Sequence, residues 1–169
     1  VRISGGEPLI RKDLSHLVRL VAETPGIEDI SLSTNAVLLA DQAQDLRDAG
    51  ISRVNVSLDS LQEERVESIA RRPGCFDGIM QGLEAAEAVG FDPIKINVVL
   101  IGGQNDDEIE DFARITRDRP WHVRFIELMP TGSNLELSAD NYVSCQEALA
   151  RIRRMGNIEP VEGPAGNGP

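Results

Sequence analysis

The sequence predicts an α/β fold in which helices cover a parallel sheet, and it favours a partial barrel over an open sheet. Short strand-like segments alternate with amphipathic helical segments along nearly the whole chain, which is the pattern of repeated βα units. Polar residues follow four of the five predicted strands at their carboxyl ends. A barrel gathers all these ends at one mouth, whereas a doubly wound sheet uses mainly the crevice at its switch point.

About five βα units are present, so we expect only an arc of a TIM-type barrel, with two open sheet edges. The predicted strands are 1–4, 28–33, 53–57, 94–100 and 122–127. Apolar residues recur at helical spacing between them, as in Leu14, Leu17, Val18 and Val21. Gly50 and Gly90 lie just past two further apolar stripes and predict helix ends there.

Three helix starts carry the signature of a capping box, in which the first side chain accepts from an amide and a Glu three residues later reaches back. The pairs are Ser60 with Glu63, Asn105 with Glu108, and Ser144 with Glu147. The last helix is predicted over about 145–155. We expect the barrel core to cover 1–158, and we expect 159–169 to be a disordered tail that leads to a further C-terminal region.

Composition limits the class of partner. The 169 residues include 17 basic and 28 acidic residues, which give a net charge of −11. Sequence-independent binding to nucleic acid needs a basic face, so no nucleic-acid partner is expected, although a few local Arg or Lys residues can still bind a small anion. No apolar run reaches the roughly 20 residues of a membrane span. We therefore expect a cytoplasmic protein with no membrane association.

The two cysteines, Cys75 and Cys145, are too far apart in sequence to indicate a metal or disulfide framework. Each is interpreted as a reduced structural residue. By contrast, Gly5, Gly6 and Glu7 directly follow a predicted strand. Paired glycines there let a ligand approach bare backbone, and the adjacent carboxylate can hold a cation. Because this motif begins almost at residue 1, we expect the chain to be a fragment.

The strand 94–100 places Lys95 and Asn97 on the same face, opposite Ile94 and Ile96. If that face is the barrel interior, Lys95 is a cation near the mouth that suits an anionic or carbonyl-bearing substrate. The alternative interpretation is that Lys95 only marks the exposed start of the strand. Sequence spacing leaves both open.

Six segments together resemble, in order and spacing, the radical S-adenosylmethionine (SAM) GTP 3',8-cyclase family of molybdenum-cofactor biosynthesis. They are 1–11, 33–35, 53–59, 95–99, 103–107 and 124–130, and the match extends to about residue 164. Gly-Gly-Glu alone indicates only the radical SAM superfamily, and the later segments provide the specificity. The resemblance implies a partial TIM-type (βα)6 barrel of the radical SAM kind, with SAM at its mouth.

By this resemblance, the SAM-binding positions are Gly5, Gly6, Glu7, Ser57 and Met129. The GTP-binding positions are Arg2, Ser33 and Lys95, with Asn97 and Arg124 as weaker candidates. Ser33 stands where the family usually has Thr and keeps the hydroxyl. Ala36 stands where the family usually has Gly, which predicts a restricted turn.

The family also binds two [4Fe-4S] clusters, one through a C-x-x-x-C-x-x-C run and one through a later cysteine set, and neither set is present in this chain. The cluster delivers the electron that cleaves SAM, and the resulting radical abstracts the ribose 3' hydrogen of GTP. The resemblance therefore implies a lyase that is active at full length and inactive as these 169 residues. It further implies an external electron donor and product transfer to the next enzyme of molybdopterin synthesis, and a homodimer is possible.

Three other functions are consistent with the sequence. One is a different radical SAM enzyme that acts on a peptide or another nucleotide. Another is a barrel lyase or aldolase in which Lys95 forms a Schiff base. The third is a non-catalytic barrel module that has no clusters.

Overall fold

The structure, a computed structural model, describes residues 1–129 and 141–160. These residues form a five-stranded sheet in which all neighbouring strands are parallel. The strands are β1 (Arg2–Ile3), β2 (Ser31–Thr34), β3 (Arg53–Ser57), β4 (Ile94–Leu100) and β5 (Trp121–Glu127). The helices of the described ranges are α1 (Leu14–Ala22), α2 (Ala43–Ala49), α3 (Glu63–Ala70), α4 (Cys75–Ala88), α5 (Ile109–Asp118) and α6 (Cys145–Arg153).

The order of the strands in the sheet decides between the two predicted architectures. Each strand lies beside the strands that precede and follow it in the chain, so the sheet order is β1-β2-β3-β4-β5. A doubly wound sheet contains a switch point at which this order reverses, and this sheet has no such reversal within the described residues. The predicted partial barrel, with about five βα units, is confirmed.

The helix-covered face of the sheet forms the hydrophobic core. On β4, Ile94 and Ile96 are fully buried and belong to the same apolar cluster as Phe112 of α5. Lys95 and Asn97 alternate with them and therefore lie on the opposite face. This is the alternation that the sequence predicted, and it separates an apolar packing face from a polar one.

Some predicted boundaries differ from the observed ones. β2 begins at Ser31, three residues later than expected, because the carboxylate of Asp29 binds Arg53 and the hydroxyl of Ser52 outside the ladder. The last helix ends at Arg153, since the N–H groups of the next two residues donate to carbonyls only three residues back.

One of the three predicted capping boxes forms in part, and two are wrong. The hydroxyl of Ser144 accepts from the N–H of Glu147 at 3.1 Å. Ser60 does not cap a helix at Glu63, because Gln62 is the cap residue and the Ser60 hydroxyl accepts from the N–H of Gln62. Asn105 and Glu108 also fail as a pair, since both side chains bind a neighbouring loop instead.

The proposed division at residue 158 stays a prediction, because 161–169 and 130–140 lie outside the described residues. In the described part of the chain, no helix has both the length and the apolar character needed to cross a bilayer.

Candidate functional site

Gly5 and Gly6 expose bare backbone at the end of β1. A Cβ built on either residue would find no atom within 4 Å, so internal packing does not require glycine at these positions. The open space forms part of a cavity of about 210 Å³ at the ends of β1, β2 and β3, which we call the glycine cavity. It is lined by Ser4, Gly5, Gly6, Glu7, Ser33, Thr34, Asn35 and Ser57.

Glu7 connects the glycine turn to the end of β2. One carboxylate oxygen accepts from the Thr34 hydroxyl at 2.7 Å and from the Leu9 N–H at 3.0 Å. The other oxygen accepts from the Asn35 N–H at 2.8 Å. A carboxylate offers about four acceptor positions, and three are taken. Glu7 therefore shapes the cavity wall and keeps little capacity for a ligand cation.

A second cavity of about 220 Å³ adjoins the first, since Asn35 and Ser57 line both. Most of its wall is apolar, but Asp59 and Arg72 also reach it. Burial raises the pKa of the Asp59 carboxyl, and a hydrogen bond from the Val99 N–H partly opposes this effect. Ser57 thus lies where a polar cavity meets an apolar one, as a ligand with both kinds of surface requires.

Four basic residues share the polar side of the sheet, and we call them the cationic face: Arg2, Arg53, Lys95 and Arg124. In register, Arg2 and Arg53 both pair with Ser31 of β2. Lys95 lies on the next strand, β4, in a register position two residues beyond that of Arg53. Arg124 lies on the last strand, β5, and pairs with Asn97 of β4. The acidic chain therefore concentrates positive charge on one surface.

Lys95 is a buried cation, with 9% of its surface exposed. Burial lowers the pKa of its ammonium group, and the charges of Arg124, Arg53 and Arg2 lower it further. Burial lowers the pKa of Arg124 as well, and the charges of Arg2 and Arg53 lower it further. The alternative that Lys95 marks an exposed strand start is therefore wrong. An anion bound at this face would relieve the repulsion among these charges.

Arg53 and Asn97 add two further features to this surface. Arg53 forms an ion pair with Asp29, and its hydrogen bond holds the pKa of that carboxyl below its usual range. The side-chain oxygen of Asn97 is buried and accepts no hydrogen bond from the described residues. A buried acceptor without a donor is costly, so this atom indicates a place where a ligand could donate.

The structure brings together most of the predicted site residues, in two groups. Gly5, Gly6, Glu7, Ser33 and Ser57 line the glycine cavity, while Arg2, Lys95, Asn97 and Arg124 lie on the polar side of the sheet. Met129 belongs to neither group: it follows the end of β5, is 71% exposed and does not line the glycine cavity. Pro130, the last residue of the motif that contains it, lies outside the described residues.

Neither cysteine lines the glycine cavity, although Cys75 lines the second cavity beside it. Cys75 is buried and Cys145 is half-buried, and both are free thiols whose pKa is raised first by burial. Within residues 1–129 and 141–160, no three His, Cys, Asp or Glu side chains are placed to hold a metal ion. The described residues therefore do not fit an iron–sulfur cluster.

Sequence reasoning missed several residues that build the site. Thr34 and Asn35 bind Glu7 and could have been inferred only from their position beside Ser33. Arg53 was the first residue of a predicted strand, and its alternation with Asn55 and Ser57 was the available signal. Asn105 and Glu108 were also missed as residues that hold the loop after β3, because their spacing predicted a capping box.

Comparison with known proteins identifies the family. The profile described as the Radical SAM superfamily matches residues 1–115. The chain belongs to the radical SAM superfamily. That assignment agrees with the glycine turn after β1 and with the sequential parallel sheet.

Curated relatives of this radical SAM chain carry the name GTP 3',8-cyclase. The protein of Moorella thermoacetica is 48% identical over 169 residues, which are 100% of this chain and 52% of the relative. The protein of Picosynechococcus is 48% identical over 170 residues, covering 99% of this chain and 51% of the relative. The chain thus spans about half the length of the curated relatives it matches.

Solved structures support the radical SAM fold. A domain of pyruvate-formate lyase-activating enzyme from Bacteroides vulgatus has a TM-score of 0.65 at 19% identity, over 92% of this chain and 91% of that one. Coproporphyrinogen III oxidase from Escherichia coli has a TM-score of 0.63 at 20% identity, over 91% of this chain and 38% of that one. At such low identity the likeness concerns the fold alone.

Proposed function

We propose that this chain is the SAM- and GTP-binding part of a radical SAM GTP 3',8-cyclase, a lyase of molybdenum-cofactor biosynthesis. The observation that carries the proposal is the 48% identity to proteins of that name over the whole chain. Two structural features support it independently. They are the open glycine cavity and the cationic face, which suit a zwitterionic cofactor and a polyphosphate.

SAM fits the glycine cavity by its chemistry. Its amino-acid end carries donors and acceptors that can pair with the exposed backbone of Gly5 and Gly6. Ser57 lines the same cavity, and in the proposal its hydroxyl contacts the cofactor. Glu7 acts mainly by holding the cavity wall, because three protein donors already occupy it. In the proposal Met129 contacts SAM beyond the end of β5.

GTP fits the cationic face because its triphosphate needs several positive charges. Arg2, Lys95 and Arg124 supply them, and Arg53 adds a fourth that the ion pair with Asp29 holds in place. Each hydrogen bond between a charged group and its partner contributes about 1.5–3 kcal/mol. Ser33 and Asn97 provide uncharged contacts in the proposal. The buried side-chain oxygen of Asn97 would accept a hydrogen bond from the nucleotide.

Iron–sulfur clusters are not held by the residues described. The whole chain contains two cysteines, fewer than a cysteine-ligated [4Fe-4S] cluster uses. When bound beside a reduced cluster, SAM supplies the radical that begins the reaction. The residues of this chain bind and orient the two ligands. We therefore expect the 169 residues alone to bind SAM and GTP without cleaving SAM.

The wider setting of the enzyme also belongs to the proposal. It includes two [4Fe-4S] clusters in the longer protein, an external electron donor, product transfer to the next enzyme and a cytoplasmic location. A homodimer is compatible with it. Membership of the radical SAM superfamily and the likeness to GTP 3',8-cyclases support the clusters.

Equilibrium binding tests the central claim. Isothermal titration of the chain with GTP, GDP and GMP should show affinity that falls as phosphates are removed and that weakens as salt is added, because charge pairs at a cationic surface are screened. SAM should bind without competing with GTP. Failure of GTP to bind, or equal affinity for the three nucleotides, would contradict the proposal.

Activity separates the cyclase from other radical SAM enzymes. The gene product that contains this segment, reconstituted anaerobically with iron and sulfide and supplied with SAM and a chemical reductant, should convert GTP to the 3',8-cyclic product and should leave peptides unchanged. The 169-residue chain treated in the same way should release no methionine from SAM. Cleavage of SAM by the chain alone would refute the claim that its residues hold no cluster.

A further inference from the structure

Two loops at the carboxyl ends of β3 and β4 are joined by the buried carboxylate of Glu108. This residue is 2% exposed and ends the 3₁₀ turn Asp106–Glu108. One carboxylate oxygen accepts from the Ser60 hydroxyl at 2.7 Å, and the other accepts from the Leu61 N–H at 2.6 Å. Arg65 donates to the first oxygen at 2.8 Å. The guanidinium balances the charge that burial would otherwise penalise.

Asn105 connects the same two loops a second time. It is 1% exposed, and its side-chain nitrogen donates to the carbonyls of Asp59 at 2.6 Å and Val99 at 2.8 Å. Its oxygen accepts from the Ile101 N–H at 2.8 Å. The Asp59 carboxylate accepts from the Val99 N–H at 2.8 Å. We define the loop clamp as Asp59, Ser60, Asn105 and Glu108.

The loop clamp begins two residues after Ser57. Between them, the Leu58 N–H donates to the carbonyl of Asn97 at 3.1 Å. The backbone on one side of Ser57 is therefore fixed by the sheet, and the backbone on the other side is fixed by the clamp. Ser57 itself is exposed to the glycine cavity. Its hydroxyl position thus depends on residues that do not reach the cavity.

We propose that Glu108 is a positioning residue of the SAM site: through Ser60 and Leu61 it holds the loop that places the Ser57 hydroxyl in the glycine cavity. The inference rests on the proposed function, since it takes SAM as the ligand of that cavity. Glu108 does not line either cavity beside Ser57. Its effect on SAM is therefore entirely indirect.

The test is a double-mutant cycle on the 169-residue chain, read as the dissociation constants of SAM and GTP. Replacement of Glu108 by Gln keeps the shape of the side chain but puts an NH2 group against a hydrogen-bond donor, either the Leu61 N–H or the Ser60 hydroxyl. We expect Glu108→Gln to weaken SAM binding about tenfold, which corresponds to 1.4 kcal/mol. GTP affinity should change less than about twofold. In a Ser57→Ala background, the same Gln substitution should cost almost nothing, because Ser57 transmits the effect.

Asp107→Asn provides the matched control. Asp107 is the adjacent residue and binds the same Arg65 at 2.6 Å, but its side chain is exposed and touches neither Ser60 nor Leu61. This variant should leave both dissociation constants unchanged. A loss of SAM affinity in Asp107→Asn equal to that in Glu108→Gln would overturn the inference, since it would assign the effect to the ion pair.

Two further outcomes would also overturn it: unchanged SAM affinity in Glu108→Gln, or a loss that persists in the Ser57→Ala background. If Glu108→Gln fails to fold, Ser60→Ala replaces it in the same cycle with the same expectations, because that change removes one donor to Glu108. Failure of the unmutated chain to bind SAM would contradict the proposed function instead. The two failures are therefore distinguishable.

Discussion

Replacement of Lys95 by Met should stabilise the protein and weaken GTP binding. Methionine keeps an unbranched apolar side chain of similar length and removes the charge. Lys95 is 9% exposed and lies among Arg2, Arg53 and Arg124. The folded chain therefore holds a buried positive charge beside three others, and a bound anion would compensate it.

The size of both effects follows from this environment. Replacing buried charged groups by apolar side chains of similar volume can stabilise a protein by roughly 1–4 kcal/mol. In a chain of 150–250 residues, 1 kcal/mol raises the melting temperature by about 2–4 °C. We expect a rise of at least about 2 °C for Lys95→Met. The lost charged hydrogen bond should weaken GTP binding about ten- to hundredfold.

The stability effect should depend on pH with a definite sign. The pKa of Lys95 in the folded protein is lowered from 10.5, first by burial. Below the folded pKa, Lys95 is charged in both states and its cost is complete. As the pH rises from that value towards 10.5, the unfolded chain keeps its proton longer, so the unmutated protein gains stability. The advantage of the Met variant should therefore shrink as the pH increases.

Thermal unfolding from pH 7 to 10 and GTP titration at pH 7 measure the two effects. Lys12→Met is the matched control, because Lys12 is exposed in the turn before α1. It should change neither stability nor affinity. The reasoning is refuted if Lys95→Met lowers the melting temperature in a folded protein, or if it leaves GTP affinity unchanged.

Three other substitutions test the packing and the cavity. Gly82→Ala should destabilise the fold by about 1–3 kcal/mol in thermal unfolding, because the new Cβ would lie 2.3 Å from the carbonyl oxygen of Ala36. The control Gly156→Ala, which adds a Cβ in open space, should be nearly neutral. Gly6→Ala should leave the melting temperature unchanged but weaken SAM binding in calorimetry. Unchanged SAM affinity in this variant would show that the ligand does not approach the backbone of Gly6. Asp59→Asn should stabilise the chain at pH 7, because burial raises the pKa of Asp59 in the folded protein and its ionisation therefore costs stability as the pH rises. In acid unfolding this advantage should disappear below pH 3.8, and an advantage independent of pH would contradict the prediction.

The strands were predictable to the extent that local pattern determines them. β3 and β4 begin and end where the sequence predicts. β-branched residues alternate with polar ones throughout β3 and from Ile94 to Val98 of β4. β2 starts later because Asp29 pairs with Arg53, a contact between residues 24 apart that no local pattern contains. The turn at Ala36 was predicted to be restricted, and this residue has a φ of 61°, where most L-residues are disfavoured.

The capping predictions failed where tertiary contacts compete with local ones. The spacing of Asn105 and Glu108 is that of a capping box, but each side chain finds stronger partners in the loop after β3. Ser60 is drawn to Glu108 for the same reason. Of the three predicted cap residues, only Ser144 at the start of α6 follows the local rule.

The sequence by itself determined the class of fold, the glycine turn after the first strand and the polar residues at the strand ends. These depend on periodicity and on residue type, both of which are local. The tertiary structure alone decided that Lys95 is buried and that Arg53 joins the cationic face. It also decided that the carboxylates of Glu7 and Glu108 accept hydrogen bonds from neighbouring loops. Burial and charge neighbourhood arise from the packing of distant strands, and hydrogen-bond partners are chosen only when all competing donors are in place.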